Sequence, residues 1–189
     1  MKFLEKYNNK KNIRFSLFKK TLDLAISREC KIIVETGTSR GKKKFLFFNN
    51  FNWKDGMSTP MFSEFAHSIK GELHSCDISE ENIKNAKNFT KKYNDNVNFY
   101  IKDSIIFLQK FHKKIDLLYL DSFDGHDVEM ASKHQLNEAK AVFDKLKDNS
   151  LVLLDDKNAK TIYSKDYFCK NGFKILAETE YQLLLSKTL

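Results

Sequence analysis

Five short apolar runs, each ending at or beside an acid, constrain this chain more than any other feature. They read KIIV (31–34), ELHSCDI (72–78), VNFYI (97–101), IDLLYL (115–120) and SLVLL (150–154). Helical patterning fills the chain around them: FSLFKKTLDLAISRE before the first, then MFSEFAHSIK, SEENIKNAKNFTKKYN, SIIFLQKFHKK and roughly 127–147. Ser79 is a good N-cap, with Glu80 and Glu81 in the turn behind it. Strands apolar on both faces that alternate with helices predict a parallel sheet covered on both sides. A short helix near 160–168 precedes two further runs, FKILAE and YQLLLS. Only a residue or two around Thr179 joins them, too few for a parallel crossover, so they are expected to form an antiparallel hairpin. The predicted fold class is α/β: three layers around a mostly parallel seven-stranded sheet closed by a C-terminal antiparallel hairpin.

The 189 residues suit one domain, with residues 1–14 as an N-terminal extension. Hydrophobic content of 41% beside 31% charged residues excludes a disordered chain. No apolar run approaches the ~20 residues that cross a bilayer. The N-terminus lacks the apolar core of a secretory signal, so the expected location is the cytoplasm, without membrane attachment. Cys30, Cys76 and Cys169 lack metal-ligand spacing and are expected to be reduced structural thiols. The net charge of +8 is spread rather than striped, as in Lys42-Lys43-Lys44 and Lys91-Lys92. Residues 42–50 are expected to be helical. The aromatic stretch 47–60 reads as a lid carrying Trp53 or Phe51, or as a dimer contact, as readily as a surface loop.

Ligands in open α/β sheets sit beyond the carboxyl ends of the strands. There the chain offers Glu35-Thr36-Gly37-Thr38-Ser39-Arg40-Gly41, then Asp77, Asp103-Ser104, Asp121-Ser122-Phe123-Asp124 and Asp155-Asp156. Gly37 permits a tight turn and Gly41 a close helix-to-strand approach. The spacing is not the G-x-G-x-x-G fingerprint of dinucleotide sites. An acid-rich rim repels phosphates and favours a cation that carries ribose hydroxyls.

With these residues in order, the chain resembles the class I S-adenosylmethionine-dependent methyltransferases, whose fold is Rossmann-like, from about residue 30 to its end. VETGTSRG is similar to the family's first motif, E/D-x-G-x-x-x-G. The resemblance implies that Glu35, Thr36, Gly37, Thr38, Ser39 and Gly41 bind the methionine part of S-adenosyl-L-methionine. It implies that Asp77, with Ile78 beside it, takes the ribose, that Asp103 and Ser104 read the adenine, and that Asp121 also faces the cofactor.

Asp121, Asp155 and Asp156 end adjacent strands, and three carboxylates so close would oppose each other's ionisation. A hard divalent cation, Mg²⁺ above all, would relieve this with oxygen ligands. The arrangement resembles the metal-dependent small-molecule O-methyltransferases of the cephalosporin-biosynthesis and catechol types. That resemblance implies a metal held by Asp121, Asp155 and Asp156, catalysis by Asp121, and a hydroxyl acceptor. His126 is the first choice of general base and His134 the second.

Asp124 stands where catechol-type enzymes carry a lysine. DSFD lacks the prolines of amino-directed base methyltransferases, which argues against that class. Methylation of RNA and a non-catalytic cofactor-binding role are the competing expectations. The apolar hairpin end is a candidate for pairing two copies of the chain.

Overall fold

The computed structural model describes residues 1–40, 42–45, 48–51, 53 and 57–188, with side chains described outside 41–52 and 54–56. Among the described residues the α-helices are α1 (Phe15–Ser27), α2 (Ser58–Ser68), α3 (Glu80–Thr90), α4 (Ser104–Lys110), α5 (Val128–Val142) and α6 (Thr161–Lys170). The strands are β1 (Ile32–Thr36), β2 (Lys42–Phe45), β3 (Phe48–Phe51), β4 (Glu72–Asp77), β5 (Val97–Ile101), β6 (Ile115–Leu120), β7 (Leu146–Leu154), β8 (Lys174–Glu178) and β9 (Leu183–Ser186).

Seven strands form one sheet in the order β5-β4-β1-β6-β7-β9-β8. The first five in this order are parallel, while β9 runs antiparallel to both β7 and β8. The chain builds outward from β1 to β5, then returns to β1's other side with β6. That reversal opens a crevice beyond the carboxyl ends of β1 and β6, where a doubly wound sheet takes its ligand.

Alternate residues of each strand feed opposite cores, which is why the strands are apolar on both faces. Ile33, Leu117, Tyr119, Leu151 and Leu153 pack with α1 and α2. Val34, Leu118, Leu120, Val152 and Leu154 pack with α4, α5 and α6. Tyr119 is fully buried, with Phe18 and Phe62 edge-on at 5.4 and 5.5 Å. Each such aromatic pair contributes about 0.5–1.5 kcal/mol beyond area burial. The Tyr119 hydroxyl emerges from this core to donate to Asp121 at 3.2 Å.

Three expectations need correction. Residues 42–45 and 48–50 are not helical: β2 and β3 pair antiparallel, with Lys42 opposite Phe51 and Phe45 opposite Phe48; residues 46 and 47 lie outside the described residues. Asn and Phe are middling helix formers, and the aromatic positions there suit a strand pair better. The extension 1–14 is part of the core, since Leu4 and Tyr7 are buried against α1 and α2. Within 47–60, Trp53 packs on that same core, the side chain of Phe51 lies outside the described residues, and Met57 leads directly into α2. Among the described residues, no helix is long and apolar enough to cross a membrane.

Candidate active site

A cleft of about 560 Å³ lies at the crevice between β1 and β6. Gly37, Thr38, Ser39 and Arg40 form one wall, Asp77, Ile78, Asp103 and Ser104 another, and Asp121, Asp155 and Asp156 the far end. The loop after β1 turns at Gly37, whose φ of +81° is a left-handed conformation. A side chain there would overlap the main-chain carbonyl of Asp121. The glycine therefore lets the β1 loop lie directly on the end of β6.

Glu35 and Thr36 do not line the cleft; both are fully buried beneath it. Glu35 fastens neighbouring elements together. Its carboxylate accepts from Ser58 at 2.6 Å, Thr59 at 2.8 Å and Ser75 at 2.6 Å. Ser39 and Thr59 then bond each other: the Ser39 amide donates to Thr59 Oγ1, and the Thr59 amide to Ser39 Oγ. The acid thus ties β1, β4 and the start of α2 under the glycine turn. Burial raises the Glu35 carboxyl to about 7 despite three hydroxyl donors. Gly41 lies outside the described residues.

Asp77 accepts from the amides of Thr38 at 3.0 Å and Ser79 at 2.8 Å, and from the Asn82 side chain at 3.1 Å. A carboxylate has about four acceptor sites, so this fixes its orientation and leaves capacity for a ligand. Ile78 beside it is 76% exposed, an apolar platform at the cleft mouth. Asp103 caps α4 through the Ile106 amide at 3.0 Å.

Beyond the end of β6 lies a half-buried polar network. His134 Nε2 lies 3.0 Å from both Ser104 Oγ and Ser122 Oγ. Ser122 donates to Glu138 at 2.6 Å. Burial pushes the Glu138 carboxyl up, with His134 opposing. Phe123, at φ +64°, stacks on His134 with 5.1 Å between ring centroids. His126, the first choice of base, is exposed and does not line the cleft. The turn through Phe123 and Gly125 carries it outward, just ahead of Asp127, which caps α5. His134, farther along α5, faces back into the cleft.

At the far end, Asp121, Asp155 and Asp156 offer oxygens within 4.8 Å of one another, the convergence the strand ends imply. Two basic side chains with no part in the sequence-based site sit among them. Arg14 Nε donates to both oxygens of Asp155 at 2.8 Å, and its Nη2 to Asp156 Oδ1 at 2.6 Å. Lys160 Nζ reaches Asp121 Oδ1 at 2.8 Å and Asp156 Oδ2 at 3.0 Å. The Tyr119 hydroxyl donates to the sixth oxygen, Asp121 Oδ2, so every oxygen of the three acids has a donor from the chain itself.

Burial opposes the charge on Arg14 and on Lys160, yet the acids hold both above their ordinary values. Burial and the adjacent Asp121 push Asp155 up, to about 8, against the pull of Arg14. Asp156 is held low by Lys160 and Arg14, although burial opposes this. A dication at these oxygens would meet two fixed positive charges. The donor set as it stands does not fit a divalent ion.

Lys160 carried a signal in the sequence, four residues beyond Asp156 at a helix start. Arg14 carried none, being 141 residues from Asp155.

A family model described as a methyltransferase domain matches residues 53–157, more than half of the chain. No curated protein matches it. Among solved structures, the SAH-bound methyltransferase PaMTH1 of Podospora anserina is 16% identical with a TM-score of 0.59, over 88% of this chain and 76% of that one. A Streptococcus mutans protein assigned as a methyltransferase, in complex with SAH, is 11% identical with a TM-score of 0.60, over 89% and 96%. An rRNA methylase of Streptococcus thermophilus is 10% identical with a TM-score of 0.58, over 91% and 96%. These three share the fold. With the family match spanning strands β4 to β7 and the acids at their ends, the chain belongs to the methyltransferase domain family.

Proposed function

We propose that this protein is an S-adenosylmethionine-dependent methyltransferase that acts on a hydroxyl of a small molecule. The observation that carries the reading is the meeting of the Gly37 loop, Asp77, Asp103 and Asp121 on one cleft at the switch point of the sheet. In this reading Gly37, Thr38 and Ser39 cradle the methionine portion of the cofactor. Asp77 accepts from the two ribose hydroxyls through charge-assisted bonds, and Ile78 covers the adenine beside Asp103 and Ser104.

The acceptor hydroxyl enters at the Asp121 end. When bound, the cofactor would supply an electrophilic methyl group, carried on its sulfonium and released to the acceptor oxygen with loss of a neutral thioether. The acceptor proton passes to Asp121 Oδ2, which a single 3.2 Å contact from Tyr119 holds. Positioning supplies most of the assistance. The metal assistance implied by the resemblance has no part in this reading, because Arg14 and Lys160 already occupy the acids. A cleft of about 560 Å³ is within the range of small-molecule sites, which favours a compact acceptor.

A net charge of +8 supports a second reading, methylation of RNA. One assay separates the two. Labelled S-adenosylmethionine is incubated with the protein and either a panel of phenols and hydroxy acids or total RNA, and transferred methyl is counted. Methylation of a hydroxyl in the panel supports the first reading. Transfer confined to RNA, and lost steeply with added salt, would replace it by the second.

A further inference from the structure

We infer that the cation of the acid triad is built into the chain: Arg14 and Lys160 hold the place of a divalent ion, and methyl transfer is metal-independent. The inference rests on occupancy, oxygen by oxygen. Lys160 is buried, its side chain 4% exposed, and it bridges Asp121 to Asp156 across the ends of β6 and β7. Arg14 stands immediately before α1 and bridges Asp155 to Asp156. Tyr181 lies against the guanidinium, 5.8 Å from ring centroid to Cζ, and helps confine it.

Both cations are delivered by rigid elements, Arg14 by α1 and Lys160 by the start of α6. Lys160 is fixed further by the turn at Asp156, where the amides of Ala159 and Lys160 bond back to the Asp156 carbonyl at 2.8 and 2.9 Å. This is a preformed charge pattern rather than a vacant ligand set. Its role is positioning: it holds Asp121 aimed at the reacting atoms without an exchangeable ion. The statement about turnover rests on the methyltransferase reading, whereas the occupancy does not.

The test is metal binding by the whole chain, stripped with EDTA and titrated with Mn²⁺ by paramagnetic resonance. The wild-type protein is expected to show no saturable site tighter than about 1 mM. Lys160→Met removes the ammonium but keeps the stem, leaving Asp121 and Asp156 uncompensated. It is expected to bind Mn²⁺ at least ~10-fold tighter than wild type, while Lys160→Arg, which keeps the charge, stays like wild type. A merely structural lysine would not create a metal site on removal. Micromolar Mn²⁺ binding by the wild type, or a Lys160→Met protein no tighter than Lys160→Arg, would overturn the inference. If Lys160→Met does not fold, Arg14→Met takes its place with the same expectation, and the wild-type titration decides alone if neither folds. S-adenosylhomocysteine binding by the same stripped protein reports separately on the cofactor, so failure of one reading does not imitate failure of the other.

Discussion

The two ends of the cleft hold their acids in opposite ways. At the end formed by β1, β4 and β5, Asp77 and Asp103 are steadied by neutral donors: main-chain amides and one asparagine. At the end formed by β6 and β7, Asp121, Asp155 and Asp156 are clamped by a buried guanidinium and a buried ammonium. Neutral donors orient a carboxylate and leave its charge for a ligand. Cations consume the charge and leave an oriented framework. One end is therefore suited to gripping a cationic cofactor, and the other to fixing geometry around the reacting atoms.

The largest expected effect comes from breaking the charged end. Arg14→Met leaves Asp155 and Asp156 without their guanidinium, and removing one partner of a buried pair costs about 3–5 kcal/mol. Urea unfolding followed by circular dichroism reads that loss directly. A stability within 1 kcal/mol of wild type, on the order of a surface pair, would mean that Arg14 is not part of a buried clamp.

Gly37→Ala attacks the seam between the two ends. The added methyl meets the Asp121 carbonyl and must adopt φ of +81°. We expect a loss of about 3 kcal/mol, with weakened cofactor binding, since both overpacking and left-handed strain apply. Unchanged melting would contradict the close approach of the β1 loop to β6.

Asp77→Ala sharpens the comparison at the neutral end. It removes the proposed ribose acceptor and releases the Thr38 and Ser79 amides and the Asn82 side chain, so S-adenosylhomocysteine affinity should fall by ~10–100-fold, with a loss of about 1–2 kcal/mol in unfolding free energy. Calorimetric titration of both proteins makes the comparison.

The most gradual effect, spread over a range of pH rather than lost at once, concerns Glu35. Its folded carboxyl is raised from 4.5 to about 7, so the folded state binds the proton more tightly than the unfolded chain. The resulting stabilisation is complete below pH 4.5 and is lost as pH rises through about 7. Relative to Glu35→Gln, which cannot titrate, wild-type stability should decline across that window by on the order of 3 kcal/mol at most. Parallel pH curves for the two proteins would contradict the buried, ionisable fastener.

Legibility follows the same division. The strand plan and the neutral end were readable because both are local: apolar runs mark strands, and each acid caps the turn directly after its own strand. Asp77 finds its amide donors at Thr38 and Ser79, in loops whose glycine and serine signals stand in the sequence. The charged end was half readable. Adjacent strands predicted that Asp121, Asp155 and Asp156 converge, but their counter-charges arrive by tertiary packing. Nothing near Arg14 announces Asp155. The depth of Glu35 was not legible, because a motif gives position along a strand and Glu35 lies below the turn rather than on it. His126 was misjudged because a loop direction depends on backbone angles such as the positive φ of Phe123, which residue types alone do not disclose.

The most direct measurement is a calorimetric titration of S-adenosylhomocysteine into the EDTA-stripped protein. A single saturable site in the micromolar range, its affinity indifferent to added Mg²⁺ and weakened in Asp77→Ala, is the predicted result. A flat titration with the folded wild-type chain would contradict the account at its centre.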